Sequence, residues 1–407
     1  MEVLLSYREA REKVVKVVEA SPHKPKPETV GLREAFGRVL AEPVFADRDY
    51  PPFHRSTRDG FAVRAADAAS PGARLACIGE IRAGGSFEGS VGAGQCVEIM
   101  TGAAVPPGAD AVVMVEHTRR DGNTITLERA AQRGQNIVPQ GQEAAANGRM
   151  LSPGARMGYV ELALAAQVGK IRLGVWARPR VAILSTGDEV VDVDSTPGPR
   201  QIRNSNGLAL ETLVTLGGGE AVQLGNAPDD REPLRQRIER GLQEDMLVLS
   251  GGVSMGKYDL VEQVLADMGA KFHFTGVALR PGRPAVFTTC HEKPVFGLPG
   301  NPVSTMVTFE LFVLPAMDLL GGAAPRPLPT FRAKLAAPVD EKPPLAHFVP
   351  ARIEWNGCEA RVTQLPWHGS GDVVTLASAN GFLVVGPERF EYAAGDWVDV
   401  LPRRGAL

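Results

Sequence analysis

Cysteine is scarce: Cys77, Cys96, Cys290 and Cys358 are the only four in 407 residues, far apart and with no Cys-x-x-Cys pair. This argues against a zinc site or a disulfide framework and fits a reducing cytoplasmic location. Charge of one sign is also missing. At a net charge of −3 there is no global positive field for nucleic acid or an anionic membrane, so an anionic ligand must be held by local donors. No apolar run approaches the ~18 residues of a spanning helix. Residues 1–6 have neither the basic start nor the long apolar core of a signal peptide. His54, His117 and His368 each stand alone, and a lone histidine is more often structural than a ligand. What is abundant is glycine and proline, 45 and 32 residues, which points to sharp turns and loop-built sites.

The length predicts two to four domains. Residues 4–20 have a helical pattern. Leu32, Ala35, Phe36, Val39 and Leu40 recur at helical spacing, with Pro43 as the stop. From about 47 to 145, short apolar or alternating runs are split by Gly, Pro and Asp, with a hairpin turn at Arg120-Asp121-Gly122-Asn123, which reads as a small β module. "MGYVELALAAQV" (157–168) returns to helix, so the β module is read as an insertion into a helical N-terminal region, 1–46 plus 146–177. Over 178–326, apolar strands ("VAIL", "AVQL", "MLVL", "FHFTGVAL", "AVFTT", "PVFGL") alternate with amphipathic helices, as in a parallel, doubly wound α/β sheet. "APRPLPT" reads as a linker, and 327–407 returns to short strands of a barrel or sandwich.

In such sheets ligands bind at the carboxyl ends of the strands. "MLVLSGGVSMGKYD" ends a strand in Gly251-Gly252, where the backbone can turn sharply and approach a ligand. Ser254 adds a donor, and Asp259 either caps the next helix or faces the crevice. "STGDEV" places Asp188 and Glu189 at a second strand end and "GNAPDD" places Asp229 at a third. "LPGNPVST" ends a fourth in Pro299-Gly300-Asn301-Pro302, with Ser304 at a helix start. Carboxylates repel an anion unless a cation lies between them, so the set points to Mg²⁺ shared by carboxylates and substrate phosphate oxygens. "LRPGRP" adds Arg280 and Arg283, guanidinium forks suited to oxyanions. In the β module, Asp59 follows Ser56, Thr57 and Arg58, and another apolar run ends in Thr101-Gly102.

In this order, "RSTRDGFAVR", "IMTGAAVPPGADAVVMVE", "GQNIVPQGQE", "STGDEV", "LSGGVSMGKYD", "LRPGRP" and "LPGNPVST" resemble, nearly end to end, the molybdopterin molybdotransferases, bacterial MoeA and the E domain of gephyrin. The resemblance implies a multidomain α/β plus β protein. Its parts are an extended helical N-terminal region, an inserted β domain, a central molybdopterin-binding-like α/β domain and a C-terminal β-barrel. It implies a homodimer with the site between the α/β domain of one subunit and the β domain of the other. The implied reaction inserts molybdenum from molybdate, a substrate, into adenylylated molybdopterin, with release of AMP and dependence on Mg²⁺. Handover to other cofactor-synthesis proteins is a possible partnership. The substrate's dithiolene supplies the soft sulfur ligands that molybdenum prefers, so no cysteine cluster is needed.

Carried over by resemblance, Asp188, Glu189, Asp229 and Asp259 are the acidic metal and catalytic positions. Asp59, Thr101 and Glu143 belong to the β-domain side. On the substrate-binding side, Pro299 and Pro302 shape the anion loop, and Ser254, Arg280, Arg283 and Ser304 are expected to bind molybdate or a phosphate. The chain departs from the family pattern at Arg55 and Arg58, where asparagine and methionine are usual. It departs again at Glu143, where aspartate is common, and at Arg280 and Arg283, which replace lysines. Two other readings are an adenylyltransferase built on a related α/β domain and a non-catalytic, gephyrin-like scaffold. The first has Gly-Gly-Thr-Gly where this chain has Gly251-Gly252-Val253-Ser254. The second has no need of acids at three strand ends.

Overall fold

The computed structural model describes residues 4–22, 25–252, 260–342 and 344–406. Its central sheet has the strand order Glu220–Ala227, Arg180–Thr186, Met246–Ser250, Lys293–Leu298, Val286–Cys290, Lys271–Phe274. The strands Arg180–Thr186, Met246–Ser250 and Lys293–Leu298 are buried on both faces, and the edge strand Glu220–Ala227 is only partly covered. Val181, Ile183, Met246 and Val248 enter one core, which holds helix Ser205–Gly217 and the segment starting at Pro302. Their neighbours Ala182, Leu184, Leu247 and Leu249 enter the other, under helices Arg231–Gly241 and Leu260–Asp267. Alternate side chains point to opposite faces, which is why these runs read as wholly apolar instead of alternating.

Only the first four strands are parallel. "FHFTGVAL" and "AVFTT" were expected in a parallel sheet, but Val286–Cys290 and Lys271–Phe274 run antiparallel at its edge. His291 and Glu292 alone join Cys290 to Lys293, both at positive φ (47° and 64°). A two-residue turn of that hand makes a hairpin and leaves no room for a crossover.

A second local expectation fails at 32–40, where the only helical turn is Arg33–Ala35. Gly37 takes φ 72°. The chain then runs extended beside residues 154–157, the Gly37 and Leu40 amides donating to the Met157 and Ala155 carbonyls (both 2.8 Å). The apolar spacing instead serves a compact core with Met157, Leu173 and Val175. Ladders between Pro27–Gly31 and Arg172–Trp176, and between Val44–Phe45 and Arg149–Leu151, join the chain before 47 to the chain after 145. Between them lies a sheet ordered Ala111–Met114, Gly60–Val63, Gln95–Ile99, Arg74–Ile81, Thr124–Leu127, Thr118–Asp121.

In the C-terminal part, strands Ala346–Asn356, Glu359–Gln364, Phe331–Leu335, Trp397–Pro402 and Gly381–Val385 close into a barrel. Leu383, Val385, Val349, Ala351 and Val400 fill it. Phe348, Phe382, Val384 and Leu401 belong to the α/β core instead. The short strand Leu279–Arg280 joins the barrel edge, Arg280 opposite His347.

One described stretch, Pro302–Leu320, is long and apolar enough to cross a membrane by length and composition. It is a core element that carries two acids. Its middle, Phe309–Val313, is a π-turn. Pro315 has no N–H for the Leu311 carbonyl four residues back, and the Arg11 guanidinium donates to that carbonyl instead (2.8 Å). Asp318, with 1% of its side chain exposed, pairs with Arg156 (2.5 Å) and Arg326 (2.7 Å). Glu310 pairs with Arg404 (2.8 Å). This buried knot ties the segment after the insertion, the linker and the C-terminus to the last α/β helix. Breaking a buried pair leaves uncompensated charge. We expect Asp318→Ala to cost ~3–5 kcal/mol, read as a lower urea midpoint; a midpoint unchanged within error would refute the role of the knot.

Candidate active site

The four parallel strands end on one rim, and their loops are built by a few side-chain hydrogen bonds. After Thr186, Gly187 takes φ 129°. An added Cβ there would lie 2.5 Å from Glu189 Oε2, so the glutamate side chain folds across a position that only glycine fills. Asn226, on the neighbouring strand, donates through Nδ2 to the Gly187 and Val190 carbonyls (2.9 and 3.0 Å). The Asp229 amide donates to Asp188 Oδ1 (3.1 Å), which brings two strand-end acids together. Partial burial, then the charges of Asp188 and Glu189, hold the Asp229 carboxyl above its ordinary value. Asp229 remains solvent-exposed, so water screens much of the repulsion.

The glycine loops close on each other. Gly251 (φ 91°) and Gly252 (φ 63°) lie against Thr186: a Cβ on Gly251 would meet the Thr186 carbonyl at 2.7 Å, and one on Gly252 would meet Thr186 Oγ1 at 2.6 Å. Asn206, in the first turn of helix Ser205–Gly217, donates through Nδ2 to Ser250 Oγ (2.9 Å) and the Gly300 carbonyl (2.8 Å). It thereby bridges two adjacent strand-end loops. Asn204 caps the same helix, its Oδ1 accepting from the Gly207 amide (2.9 Å) and the Ser185 hydroxyl (3.0 Å). The Thr305 hydroxyl donates to the Pro299 carbonyl (2.6 Å), fixing the loop ahead of Pro302, the first residue of helix Pro302–Thr308.

Two cavities flank that last loop. One of about 610 Å³ is lined by Thr186, Glu189, Arg203, Asn204, Asn206, Gly251, Gly252 and Gly300. Among the described residues, Thr186 Oγ1 and Asn206 Oδ1 are buried there without a hydrogen-bond partner, two polar atoms available to a ligand. The other, about 370 Å³, is lined by Arg280, Arg283, Pro299, Ser304 and the barrel's Trp367. Asn301 and a barrel loop border both; the Val303 amide donates to Ser370 of that loop (3.0 Å). One wall thus offers two arginines and a buried hydroxyl, and the other offers Glu189, Arg203 and close backbone, while Asp188 and Asp229 line neither cavity.

Of the residues singled out in the sequence, Asp188 and Asp229 touch each other, Glu189 lines the larger cavity, and Arg280, Arg283, Pro299 and Ser304 line the smaller. Pro302 lines the larger one. Asp59, Thr101 and Glu143 line neither. Asp59 Oδ1 accepts from the Thr101 amide (2.6 Å) and hydroxyl (2.8 Å), which hold its carboxyl below the usual range. Glu143 pairs with Arg55 (2.9 Å). Ser254 and Asp259 lie outside the described residues. Among the described residues no three Asp, Glu, His or Cys side chains form a metal-binding group.

Sequence reasoning missed Asn204, Asn206, Asn226 and Thr305. The "RNSN" ahead of a helical run carried a legible cap signal. The partners of Asn206 lie 44 and 94 residues away, and no local pattern points to them.

Three family models match in order: the MoeA N-terminal region (domain I and II) at 5–169, the probable molybdopterin binding domain at 182–318, and the MoeA C-terminal region (domain IV) at 332–402. The molybdopterin molybdenumtransferase of a Nostoc species is 35% identical over 374 residues, 88% of this chain and 84% of the relative. That of Bacillus subtilis is 34% identical over 92% of this chain and 89% of its own. A crystal structure of the molybdopterin biosynthesis MoeA protein of Pyrococcus horikoshii superposes with a TM-score of 0.81 at 29% identity, over 98% of this chain and 100% of that one. The fold and the rim of strand-end loops define a multidomain protein built around a molybdopterin-binding α/β domain. The chain belongs to the MoeA family.

Asn206→Ala removes both bridging bonds, and we expect a loss of ~1–2 kcal/mol in urea unfolding. Asp229 gives a signed pH dependence. Its raised folded-state value means that stability is fully present below the unfolded carboxyl range and falls as pH rises through the raised value. Asp229→Asn should flatten that limb of a Tm-versus-pH profile in metal-free buffer; an unchanged limb would remove the repulsion argument.

Proposed function

We propose that this chain accepts adenylylated molybdopterin and molybdate, inserts molybdenum into the pterin dithiolene and releases AMP. The transferase class and the insertion of molybdenum into molybdopterin in cofactor biosynthesis follow from membership of the MoeA family. The finer reading rests on one observation: a hollow lined by Arg280 and Arg283 and a glycine-lined hollow that holds Glu189 share the 299–302 loop. Molybdate, a small oxyanion, suits Arg280, Arg283 and the Ser304 hydroxyl. The nucleotide conjugate suits the larger cavity, where the backbone approaches closely and Asn206 and Thr186 present free polar atoms.

Mg²⁺ fits the donor chemistry of the rim. Burial first, and then the charges of Asp188 and Glu189, disfavour the ionised form of Asp229, which a cation would relieve, and Mg²⁺ usually takes only one or two carboxylates beside phosphate and water. A three-ligand protein cage is therefore not required. Asp188, Glu189, Asp229 and Asp259 would hold the ion, and when bound it would neutralise phosphate charge. The chain's own groups orient the conjugate, bring the oxyanion to the next loop and exclude water beneath the barrel loop.

The carboxylates of Asp59 and Glu143 face solvent, away from both cavities. A homodimer in which the inserted sheet of one subunit faces the strand-end rim of the other gives them a role. The Asp59 carboxyl is fixed by Thr101 as a preformed acceptor for that partner site.

Arg283→Ala and Ser304→Ala should each weaken molybdate binding ~10-fold or more by calorimetry; unchanged affinity in both would end the assignment of the smaller cavity. Mg²⁺ with AMP should raise the Tm of the wild type and fail to raise that of Glu189→Gln. For the dimer, Asp59→Asn and Glu189→Gln proteins are each expected to be nearly inactive in AMP release. After subunit exchange, an equal mixture should recover about a quarter of wild-type activity through restored composite sites. No recovery despite proven exchange would place Asp59 in the same subunit's site or in none.

A further inference from the structure

Cys77 and Cys96 are register partners across the parallel strands Arg74–Ile81 and Gln95–Ile99 of the inserted sheet, and the site above uses neither. Neighbouring strands lie ~4.8 Å apart, within the Cα separations that a disulfide spans. The ladder shifts register between Cys77 and Glu80, so regular pairing is interrupted just after Cys77. The Cys77 thiol donates to the Gly79 carbonyl at a long 3.4 Å. Cys96 is fully buried and Cys77 half-buried, so an oxidant from solvent reaches one sulfur while the other waits beneath it. Burial first, and then the neighbouring Cys77, push the Cys96 thiol up to about 12. No third metal-ligating side chain joins the pair among the described residues, which disfavours a soft-metal site. Cys290 is buried against the Met268 carbonyl and Cys358 is exposed on the barrel; neither has a cysteine as its strand partner.

We propose that Cys77 and Cys96 form a reversible disulfide, closed by a peroxide-class oxidant and opened by small thiols. The Cys77 thiolate attacks a peroxide oxygen, the O–O bond breaks, and a sulfenic acid and one water result. The Cys96 sulfur then displaces oxygen from the Cys77 sulfur, and the leaving hydroxide takes up the Cys96 proton as a second water. Two thiols and one hydrogen peroxide thus give one disulfide and two waters. The link would join the strands that flank the glycine-rich stretch 82–94 and stiffen the one that runs on to Thr101, whose amide and hydroxyl hold Asp59. A bond between adjacent strands is strained, and strained disulfides are the readily reduced ones.

The test uses the full chain carrying Cys358→Ser, which removes the exposed thiol that could link copies. It is treated with hydrogen peroxide, blocked with iodoacetamide and weighed. Expected are a loss of about 2 Da before blocking, one free thiol left of the three that remain from four, tryptic peptides 75–82 and 83–119 joined, and full reversal by dithiothreitol. With Cys96→Ala added, the 2 Da loss should vanish and Cys77 should instead gain oxygen. Oxygen gain at Cys77 without linked peptides while Cys96 is present, or a link from Cys77 to Cys290, would overturn the proposal.

Discussion

Parallel pairing of four strands, Glu220–Ala227 through Lys293–Leu298, is the constraint from which the rest follows. A parallel sheet needs crossover helices on its faces, so each strand must be apolar on both sides. The same pairing sends four carboxyl ends to one rim. The loops after Thr186, Ala227, Ser250 and Leu298, well separated along the chain, become neighbours there. Once they are neighbours, short polar bonds from Asn206, Asn226 and Thr305 fix their shapes, and the glycines permit approaches that a Cβ would block.

The surrounding parts bear on this rim through their attachments. The barrel presents one outer face to the α/β core and sends a loop to the edge of both cavities. Its edge also takes up Leu279–Arg280 as an added strand, so the position of a candidate oxyanion ligand depends on a different sheet. The Asp318 knot holds the linker and the segment after the insertion against the last core helix. Pro315 contributes by what it lacks: the carbonyl it leaves free is the one that Arg11 reaches.

The acidic rim is costly to assemble without a cation. Asp188, Glu189 and Asp229 are held close by backbone geometry, and burial first, then repulsion from Asp188 and Glu189, raises the value for Asp229. The cluster and the arginine-lined hollow stand on either side of one loop, a separation that the proposed function uses for two kinds of anion recognition. Arginines in place of lysines at 280 and 283 give that hollow planar forks, a geometry that favours oxyanions.

The residues themselves determined a good deal. Wholly apolar runs of four or five ending in glycine identified buried strands and their loops, because burial on both faces removes the alternation that exposed strands show. Acids at three strand ends and arginines around Pro281-Gly282 were legible as chemistry for the same reason: side-chain type and turn residues are local. What local pattern could not decide was direction and partnership. The spacing of Leu32 to Leu40 fits a helix equally well, and only the pull of residues 154–157 on an extended chain settles it. The antiparallel edge depended on two residues, His291 and Glu292, adopting positive φ, which neither type favours by itself. The bonds of Asn206 to Ser250 and Gly300, and the meeting of Asp188 with Asp229, exist only once the strand order is set. Strand order is decided by burial of whole faces, a property of the packed chain and not of any stretch within it.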